Sequence, residues 1–479
     1  MRPFQVWAVA AILIATRTPA LSQTEFSEAE AHAIQAFLRE NFDNSNLGMV
    51  VGIVDERGSR IFSSGRLDDG TDKRVDGDTV YWIGSVTKTF TVLLLQDMVE
   101  RGKMRLDDPV AKYLPKSVKM PSRSSKEITL LHLATHTSGL PFDAGLDESP
   151  NAPGGNPFHG LTNEKLYSFL SSLTLGRDPG TAYSYSNVGM ALLGHAIERT
   201  AGVSYEKLVL DRICRPLGMK STRITLTPQL KSRLATGHDQ DGKRVPYWDI
   251  GAYAGAGAIR STANDLLKYV SANLGLKQSR LTPLMQSTHD VRHTNSPGPI
   301  EGIANRNTGM SWTDLGIYQP PGMQIIGHPG GAGGYSAFIG MDKKQRRGVV
   351  VLENQFQGRL NPSVVGCAIL QRVGLTKDTT TALVLEVAGI GAALATDEKT
   401  RLLRITKVYK DTPAAKAGLT EGQLISKIDD TPTAGKTAGE CAGLIRGPVG
   451  TKVRLELIDS GDKGTRIVEI TRQKFVTAG

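Results

Sequence analysis

Five segments with strand patterns are divided between the two ends of the first 375 residues. Two of them, Met49–Val54 and Arg60–Ser63, flank the turn Glu56-Arg57-Gly58 and predict a hairpin. Three more apolar, β-branched runs follow at Met323–Gly327, Tyr335–Met341 and Gly348–Leu352. The intervening chain carries mainly helical patterns up to about residue 275. The sequence therefore predicts an α+β fold, in which one antiparallel sheet is split in sequence and helices pack on it.

Helical patterns also flank the predicted sheet. The spacing of apolar residues predicts an amphipathic helix over Glu25–Phe42, and a helix over Pro362–Val373 closes the domain. A Pro/Gly-rich stretch from Pro141 to Pro157 interrupts the helical section. A loop of this length inside a compact domain is usually a functional lip or a mobile segment. These boundaries predict a first domain over residues 26–375.

Ser85 and Lys88 lie three residues apart, directly after the predicted strand Thr79–Ile83. Gly84 would form a turn and the apolar run after it predicts a helix, so Ser85 would stand near a helix N-terminus. Residues three apart share a helix face, which lets Lys88 reach the Ser85 hydroxyl. A serine hydroxyl needs a neighbouring base to act as a nucleophile, and a desolvated lysine can be that base. Alone, the pair is equally typical of a helix N-cap followed by a solvated lysine.

A second candidate element is Tyr183-Ser184-Tyr185-Ser186-Asn187, which precedes a helical pattern. A tyrosine placed among cations can ionise enough to act as a base. Asn187, two residues after Tyr185, can orient both a lysine and a substrate amide. Taken alone, the pattern is more often a turn with a helix cap at Ser186 or Asn187.

The third element is His328-Pro329-Gly330-Gly331, at the end of a predicted strand. Glycines allow backbone to approach a substrate closely, and the Gly331 N–H together with the Ser85 N–H can stabilise an oxyanion. His328 could hold the tyrosine or a substrate carboxylate. The alternative is a glycine-rich hairpin loop with an incidental histidine.

In this order, Ser85–Lys88, Tyr185–Asn187 and His328–Gly330 resemble the S-x-x-K, Y-x-N and K-T-G motifs of the serine β-lactamase and penicillin-binding-protein superfamily. The class C β-lactamases, with related DD-peptidases and esterases, are the most similar branch. Leu133–Pro141 and Leu106–Pro109 resemble that branch as well. The resemblance covers roughly residues 26 to 375 and implies a β-lactamase/transpeptidase-like antiparallel sheet with a helical subdomain.

This resemblance implies a serine hydrolase that forms an acyl-enzyme at Ser85, with Lys88 and Tyr185 sharing the role of base. Its candidate substrates are β-lactams, D-alanyl cell-wall peptides and small esters. The substrate-binding residues that it implies are Asn187, His328, Gly330 and Gly331. His328 and Pro329 depart from the lysine and hydroxyl residue of the family, and a histidine is neutral much of the time near pH 7, which disfavours efficient β-lactam hydrolysis. The alternative is a non-catalytic protein that binds wall fragments or peptides.

A second domain is predicted over residues 383–475, after a polar linker at Lys377–Thr381. It is rich in short strands, and its segments Pro413–Leu419 and Leu444–Thr451 resemble a PDZ domain of the bacterial protease-associated type. The resemblance implies a carboxylate-binding loop at Gly389-Ile390-Gly391-Ala392, beside which a C-terminal peptide would add a strand to the sheet. The alternative is a structural appendage with a blocked groove.

The N-terminus and the composition bear on localisation and partners. Arg2, the apolar run Phe4–Ala15 and the small residues near Ser22 predict a signal peptide over residues 1–22, and hence a periplasmic or secreted protein without a transmembrane anchor after cleavage. The formal net charge is +10, but the basic residues are spread along the chain, which argues against a nucleic-acid site. The three cysteines form no metal-binding or disulfide pattern, and no motif implies a metal or an organic cofactor.

Overall fold

The computed structural model describes residues 25–144, 156–294, 307–314, 323–358, 360–372, 375, 389–397, 400–434, 441, 444–445, 450–458 and 464–473. The first domain contains the strands β1 (Gly48–Asp55), β2 (Gly58–Gly65), β3 (Tyr81–Trp82), β4 (Arg260–Ser261), β5 (His293–Thr294), β6 (Asn307–Thr308), β7 (Thr313–Asp314), β8 (Ile325–Ala332), β9 (Tyr335–Asp342) and β10 (Arg347–Glu353). Eight of them form one antiparallel sheet in the order β2-β1-β10-β9-β8-β7-β6-β5. The prediction of a single sheet split in sequence is therefore confirmed.

Helices precede, separate and follow the two groups of strands, and they cover both faces of the sheet. They are α1 (Glu28–Phe42), α2 (Thr87–Glu100), α3 (Leu130–Ala134), α4 (Asn163–Ser172), α5 (Asn187–Ala201), α6 (Tyr205–Leu208), α7 (Arg215–Leu217), α8 (Pro228–Lys231), α9 (Ala254–Gly257), α10 (Ala263–Asn273), α11 (Thr282–Thr288) and α12 (Pro362–Gln371). Short 3₁₀ turns at Gly84–Val86, Val110–Tyr113 and Gly251–Tyr253 and a π-helical segment at Val209–Cys214 join them. Within the described ranges, no helix is both long and apolar enough to cross a bilayer.

Alternation along β1 explains why the sheet has two apolar faces. Met49 and Val51 pack in a core with α1 and α12, whereas Val50 and Val54 face the larger core that the sheet shares with the helical section. Successive side chains of a strand point to opposite faces, so a strand that is apolar throughout is stable only between two layers. The domain consequently has three layers, with the sheet in the middle.

The start of α1 shows how a local signal sets a boundary. The Ser27 hydroxyl accepts a hydrogen bond from the Glu30 N–H at 3.1 Å, and the Glu30 carboxylate accepts one from the Ser27 N–H at 2.6 Å. This reciprocal cap satisfies two backbone donors that the helix itself cannot pair. The helix consequently begins at Glu28, whereas the apolar spacing alone predicted a start at Glu25.

The second domain is a separate, β-rich unit. Its strands are β11 (Ala392–Thr396), β12 (Leu403–Val408), β13 (Leu424–Ile428), β14 (Thr431–Pro432), β15 (Lys452–Ile458) and β16 (Thr465–Thr471), and it contains the short helix α13 (Pro413–Lys416). The sheet order is β11-β12-β13-β15-β16, with β14 paired to β13. Its core includes Leu403, Ile425 and Leu455. The predicted linker Lys377–Thr381 lies outside the described residues.

Candidate active site

A 3₁₀ turn, Gly84–Val86, positions Ser85 between the sheet and the helical section. Gly84 has a φ of +49°, and a Cβ atom added there would lie 2.7 Å from the backbone nitrogen of Gly331. A Cβ added to Gly330 would collide with the Ile83 carbonyl oxygen. Glycine is thus required on both sides of this contact, because only a bare backbone allows the turn and β8 to approach so closely. The contact brings the backbone of Gly331 next to the turn that carries Ser85.

Replacing Gly84 with alanine should lower the free energy of unfolding by about 2–5 kcal/mol, because a left-handed backbone and a backbone collision both oppose the new methyl group. Gly202→Ala is the matched control: Gly202 has a φ of +69° at the end of α5, but an added Cβ meets no atom within 4 Å. That substitution should cost about 1–2 kcal/mol. Denaturant unfolding followed by tryptophan fluorescence measures both. Equal losses in the two variants would contradict the close contact.

Lys88 is the candidate base. Its Nζ lies 2.9 Å from Ser85 Oγ and donates a hydrogen bond to the carbonyl oxygen of Ala256, in α9, at 2.7 Å. The side chain is fully buried. Burial lowers the pKa of Lys88 from its usual value to about 7, an effect that the negative charge of Asp143 partly opposes. A large fraction of Lys88 is therefore neutral near pH 7 and can accept the proton of Ser85.

Tyr185 lies beside the same pair. Its hydroxyl hydrogen-bonds with Ser85, and Lys88 Nζ is 4.9 Å from the centre of its ring. Burial raises the pKa of Tyr185 well above its usual value, while the hydrogen bond with Ser85 acts in the opposite direction. Tyr185 is consequently a neutral phenol near pH 7. This protonation state suits the transfer of a proton to a leaving group better than the removal of one from Ser85.

His136 holds the segment that carries Tyr185. Its ring stacks on Tyr185 with centroids 4.5 Å apart, and its Nδ1 accepts a hydrogen bond from the Ser186 N–H at 3.2 Å. Its carbonyl oxygen accepts another from the Ser184 N–H at 2.7 Å. Burial, then the neighbouring Lys88 and His328, lower the pKa of His136 well below its usual value, so the ring is neutral. In the sequence analysis His136 appears only as part of Leu133–Pro141, a segment that resembles class C β-lactamases, and no role was predicted for it. No spacing rule revealed its contact with a residue about fifty positions away.

Asn187 begins α5 and points its amide at a carboxylate. Its Nδ2 donates a hydrogen bond to Asp143 Oδ1 at 3.0 Å. The helix is capped by the Ser186 hydroxyl, which accepts a hydrogen bond from the Gly189 N–H at 2.9 Å. The sequence predicted that Asn187 orients a lysine and a substrate amide. In the structure, Asn187 instead hydrogen-bonds with Asp143, and the charge of Asp143 acts on Lys88. The sequence did not single out Asp143.

His328, Gly330 and Gly331 lie within strand β8, which continues to Ala332, whereas the predicted strand ended at Gly327. All three pair with β9, where His328 stands opposite Ile339. His328 is only 1% exposed, and its Nδ1 donates a hydrogen bond to the Pro329 carbonyl oxygen at 2.6 Å. Burial, then the charge of Lys88, lower the pKa of His328 to about 3. The ring is therefore neutral at physiological pH, and this position supplies no cation for a substrate carboxylate.

In the second domain, the predicted carboxylate-binding loop leads directly into the edge strand β11. Gly389 pairs with Gln473, and Ile390 is buried in the core with its carbonyl oxygen accepting a hydrogen bond from the Ala414 N–H at 2.6 Å. Gly391 has a φ of +77° and packs against Thr412. Ala392 is the first residue of β11. The loop is thus braced against the segment before α13, with an edge strand immediately after it.

Comparisons with known proteins match both parts of the chain to protein families. Residues 31–364 match the family model described as Beta-lactamase, and residues 404–459 match a PDZ domain model. The chain is 30% identical over 318 residues to the D-alanyl-D-alanine-carboxypeptidase/endopeptidase AmpH of Escherichia coli (strain K12). This alignment covers 64% of this chain and 78% of that protein. It is 26% identical over 331 residues to a β-lactamase of Pseudomonas fluorescens, across 64% of this chain and 88% of the relative.

A solved structure of a β-lactamase/D-alanine carboxypeptidase from Yersinia pestis superposes with a TM-score of 0.60 at 26% identity. The superposition covers 75% of this chain and 99% of that one. The PDZ match begins at residue 404, so the predicted loop Gly389–Ala392 precedes the matched residues.

Proposed function

The chain belongs to the Beta-lactamase family of serine hydrolases, and from this premise we propose that it is an exported hydrolase which forms an acyl-enzyme at Ser85. The observation that carries the proposal is the distance of 2.9 Å between Lys88 Nζ and Ser85 Oγ, in a site where the pKa of Lys88 falls to about 7. A serine with an adjacent neutral amine has what an activated nucleophile requires. Export is supported by the N-terminal pattern of residues 1–22, which lie outside the described residues.

The proposed reaction has two similar halves. Ser85 Oγ attacks the substrate carbonyl carbon while Lys88 accepts the hydroxyl proton, and the N–H groups of Ser85 and Gly331 donate hydrogen bonds to the oxyanion that forms. When the carbonyl re-forms, the bond to the leaving group breaks. Tyr185 gives its proton to the departing atom and receives one from Lys88. Water then attacks the acyl-enzyme in the same way, which releases the acid and restores Ser85.

The substrate classes follow from the relatives and from His328. AmpH is described as a carboxypeptidase and endopeptidase, and other relatives are described as β-lactamases. We therefore propose β-lactams, D-alanyl peptides or small esters as substrates. Because His328 is neutral, substrates that depend on a cation at this position for binding a carboxylate should react less efficiently than esters without one.

The direct test is the mass of the intact protein after incubation with a penicillin and, separately, with an active ester. The expected result is a gain equal to the acyl group, located by peptide mapping on the fragment that contains Ser85. The same spectrum of protein recovered from the periplasm or medium reports whether the mature chain begins near Gln23. If neither reagent gives an adduct or is turned over, the alternative is favoured, which is a protein that binds wall fragments without catalysis.

For the second domain we propose that it binds the C-terminus of a peptide. The support is the PDZ match together with the edge strand β11, which follows the braced loop at Gly391. Main-chain hydrogen bonds to an edge strand provide affinity, and the free carboxylate provides end specificity. A peptide library with free C-termini should yield ligands whose binding weakens at least tenfold when the same peptides are amidated. Unchanged binding after amidation would leave only a structural role for this domain.

A further inference from the structure

The charges around Ser85 are distributed unevenly. The titratable side chains that interact with Ser85 or with its neighbours Lys88 and Tyr185 include His136, Asp143 and His328. Both histidines and the tyrosine are held neutral near pH 7, mainly by burial. Lys88 is partly neutral, and its Nζ lies 2.9 Å from Ser85 Oγ. Among these described side chains, Lys88 consequently carries only part of a positive charge, whereas Asp143 carries a negative one.

The charge of Asp143 acts on several groups of the site. Burial is the largest influence on the pKa values of Lys88, Tyr185 and Tyr253, and the charge of Asp143 opposes it at Lys88 and adds to it at the two tyrosines. The three groups come from separate segments of the chain, and the charge of Asp143 acts on each of them. A charged substrate group that enters this space will be attracted or repelled according to its sign.

Hydrogen bonds from three consecutive residues fix Asp143 in place. The Phe142 carbonyl oxygen accepts a hydrogen bond from the Asn187 N–H at 2.8 Å, and Asp143 Oδ1 accepts the Asn187 side-chain amide at 3.0 Å. The Ala144 N–H donates to the Tyr253 hydroxyl at 2.8 Å. The carboxylate is therefore held in a fixed position at the edge of the site, and its ordering costs little when a ligand binds.

An aromatic surface lies next to this carboxylate. Phe142 is 59% exposed, and its ring centre is 5.8 Å from that of Tyr185. A carboxylate near exposed aromatic surface favours ammonium groups, because ionic attraction and cation–π attraction can act together. The same environment disfavours a carboxylate through like-charge repulsion.

We propose that Asp143 is a specificity-determining residue which selects substrates that carry an ammonium group near the scissile bond. The inference rests on the proposed acyl-enzyme at Ser85. It names cationic esters and amides, such as those with a free amine, as the preferred substrate class. Asp143 does not take part in the bond changes; it binds a part of the substrate that does not react.

The test compares hydrolysis of charged esters with that of their uncharged isosteres. In one arm, the p-nitrophenyl esters of glycine and β-alanine, whose ammonium group lies in the acyl part, are paired with the uncharged p-nitrophenyl esters of propionate and butyrate. In the other arm, acetylcholine, whose cationic group lies in the leaving group, is paired with the uncharged 3,3-dimethylbutyl acetate. We expect kcat/KM to favour the cationic member at least tenfold in one arm, and Asp143→Asn to remove most of this preference. Asp143→Glu, which keeps the charge, should retain part of it.

A different role for Asp143, as a charge partner of Lys88 alone, gives a different result. Loss of the negative charge would then lower the pKa of Lys88 and shift the pH profile equally for charged and uncharged esters, without a change in their ratio. An unchanged ratio in Asp143→Asn, or no cation preference of the wild type in either arm, would overturn the inference. If the uncharged esters are turned over and label Ser85, the proposed function stands even when this inference fails. If no ester reacts and no adduct forms, it is the proposed function that fails.

Discussion

Replacing Ser85 with alanine is expected to abolish the acyl adduct and to lower kcat/KM on an active ester by about 10⁴-fold or more. The variant keeps the turn, the helix α2 and the buried Lys88, but no atom remains that can form a covalent bond with the substrate carbonyl. Only oxyanion stabilisation and binding would then contribute to catalysis, and these account for a small part of the rate in serine hydrolases. Intact-protein mass and initial rates on the same preparation measure both quantities.

Ser184→Ala provides the control, because Ser184 lies one residue before Tyr185 and is part of the same site region. It should still form the adduct at Ser85. Loss of the adduct in both variants would point to a general disturbance of the site rather than to loss of the nucleophile. An adduct that persists in Ser85→Ala would place the reactive group elsewhere and would contradict the proposed function.

The sheet could be predicted from the sequence because its strands carry their own signals. β1 and β10 are apolar and β-branched, and a strand apolar on both faces requires two covering layers. The strands β5, β6 and β7 were missed, since two residues each are too few to show alternation. β8 was predicted too short, because Pro329 and Gly330 have low strand propensity. They are tolerated because, among the described residues, β7 pairs only with Ile326 and Gly327, so Pro329 and Gly330 interrupt no pairing with β7.

The site could be predicted only where its residues are close in sequence. Ser85 and Lys88 share one helical turn, so their spacing already indicated a contact. The desolvation of Lys88 could not be predicted in this way, because it results from burial by parts of the chain that are distant in sequence, such as the segment of Ala256, whose carbonyl oxygen lies 2.7 Å from Nζ. The same holds for His136 against Tyr185 and for Asp143 against Asn187. Long-range packing therefore determines the protonation states of the site, while local spacing determines which residues can react.

The second large effect is expected at Lys88. Lys88→Met should lower kcat/KM by about 10²–10⁴-fold, since methionine fills the buried space but has no basic nitrogen. In the wild type the rate should rise as the pH increases through about 7, because the neutral form of Lys88 is the base and burial has lowered its pKa to about that value. Below this pH the rate should fall about tenfold per unit. His328 does not titrate in this range, since its pKa is near 3.

Lys88→Arg separates a base from a fixed cation. A guanidinium keeps the positive charge but stays protonated in proteins, so it cannot accept the proton of Ser85. If Lys88 acts as the base, Lys88→Arg should be as inactive as Lys88→Met, and neither should show the rise in rate near pH 7. Circular dichroism and thermal unfolding establish that both variants are folded. Substantial activity in Lys88→Arg would mean that the site needs a cation near Ser85 and not a base there. Proton removal would then fall to Tyr185, whose burial holds it in the neutral form, and a fully charged neighbour would be required to ionise it.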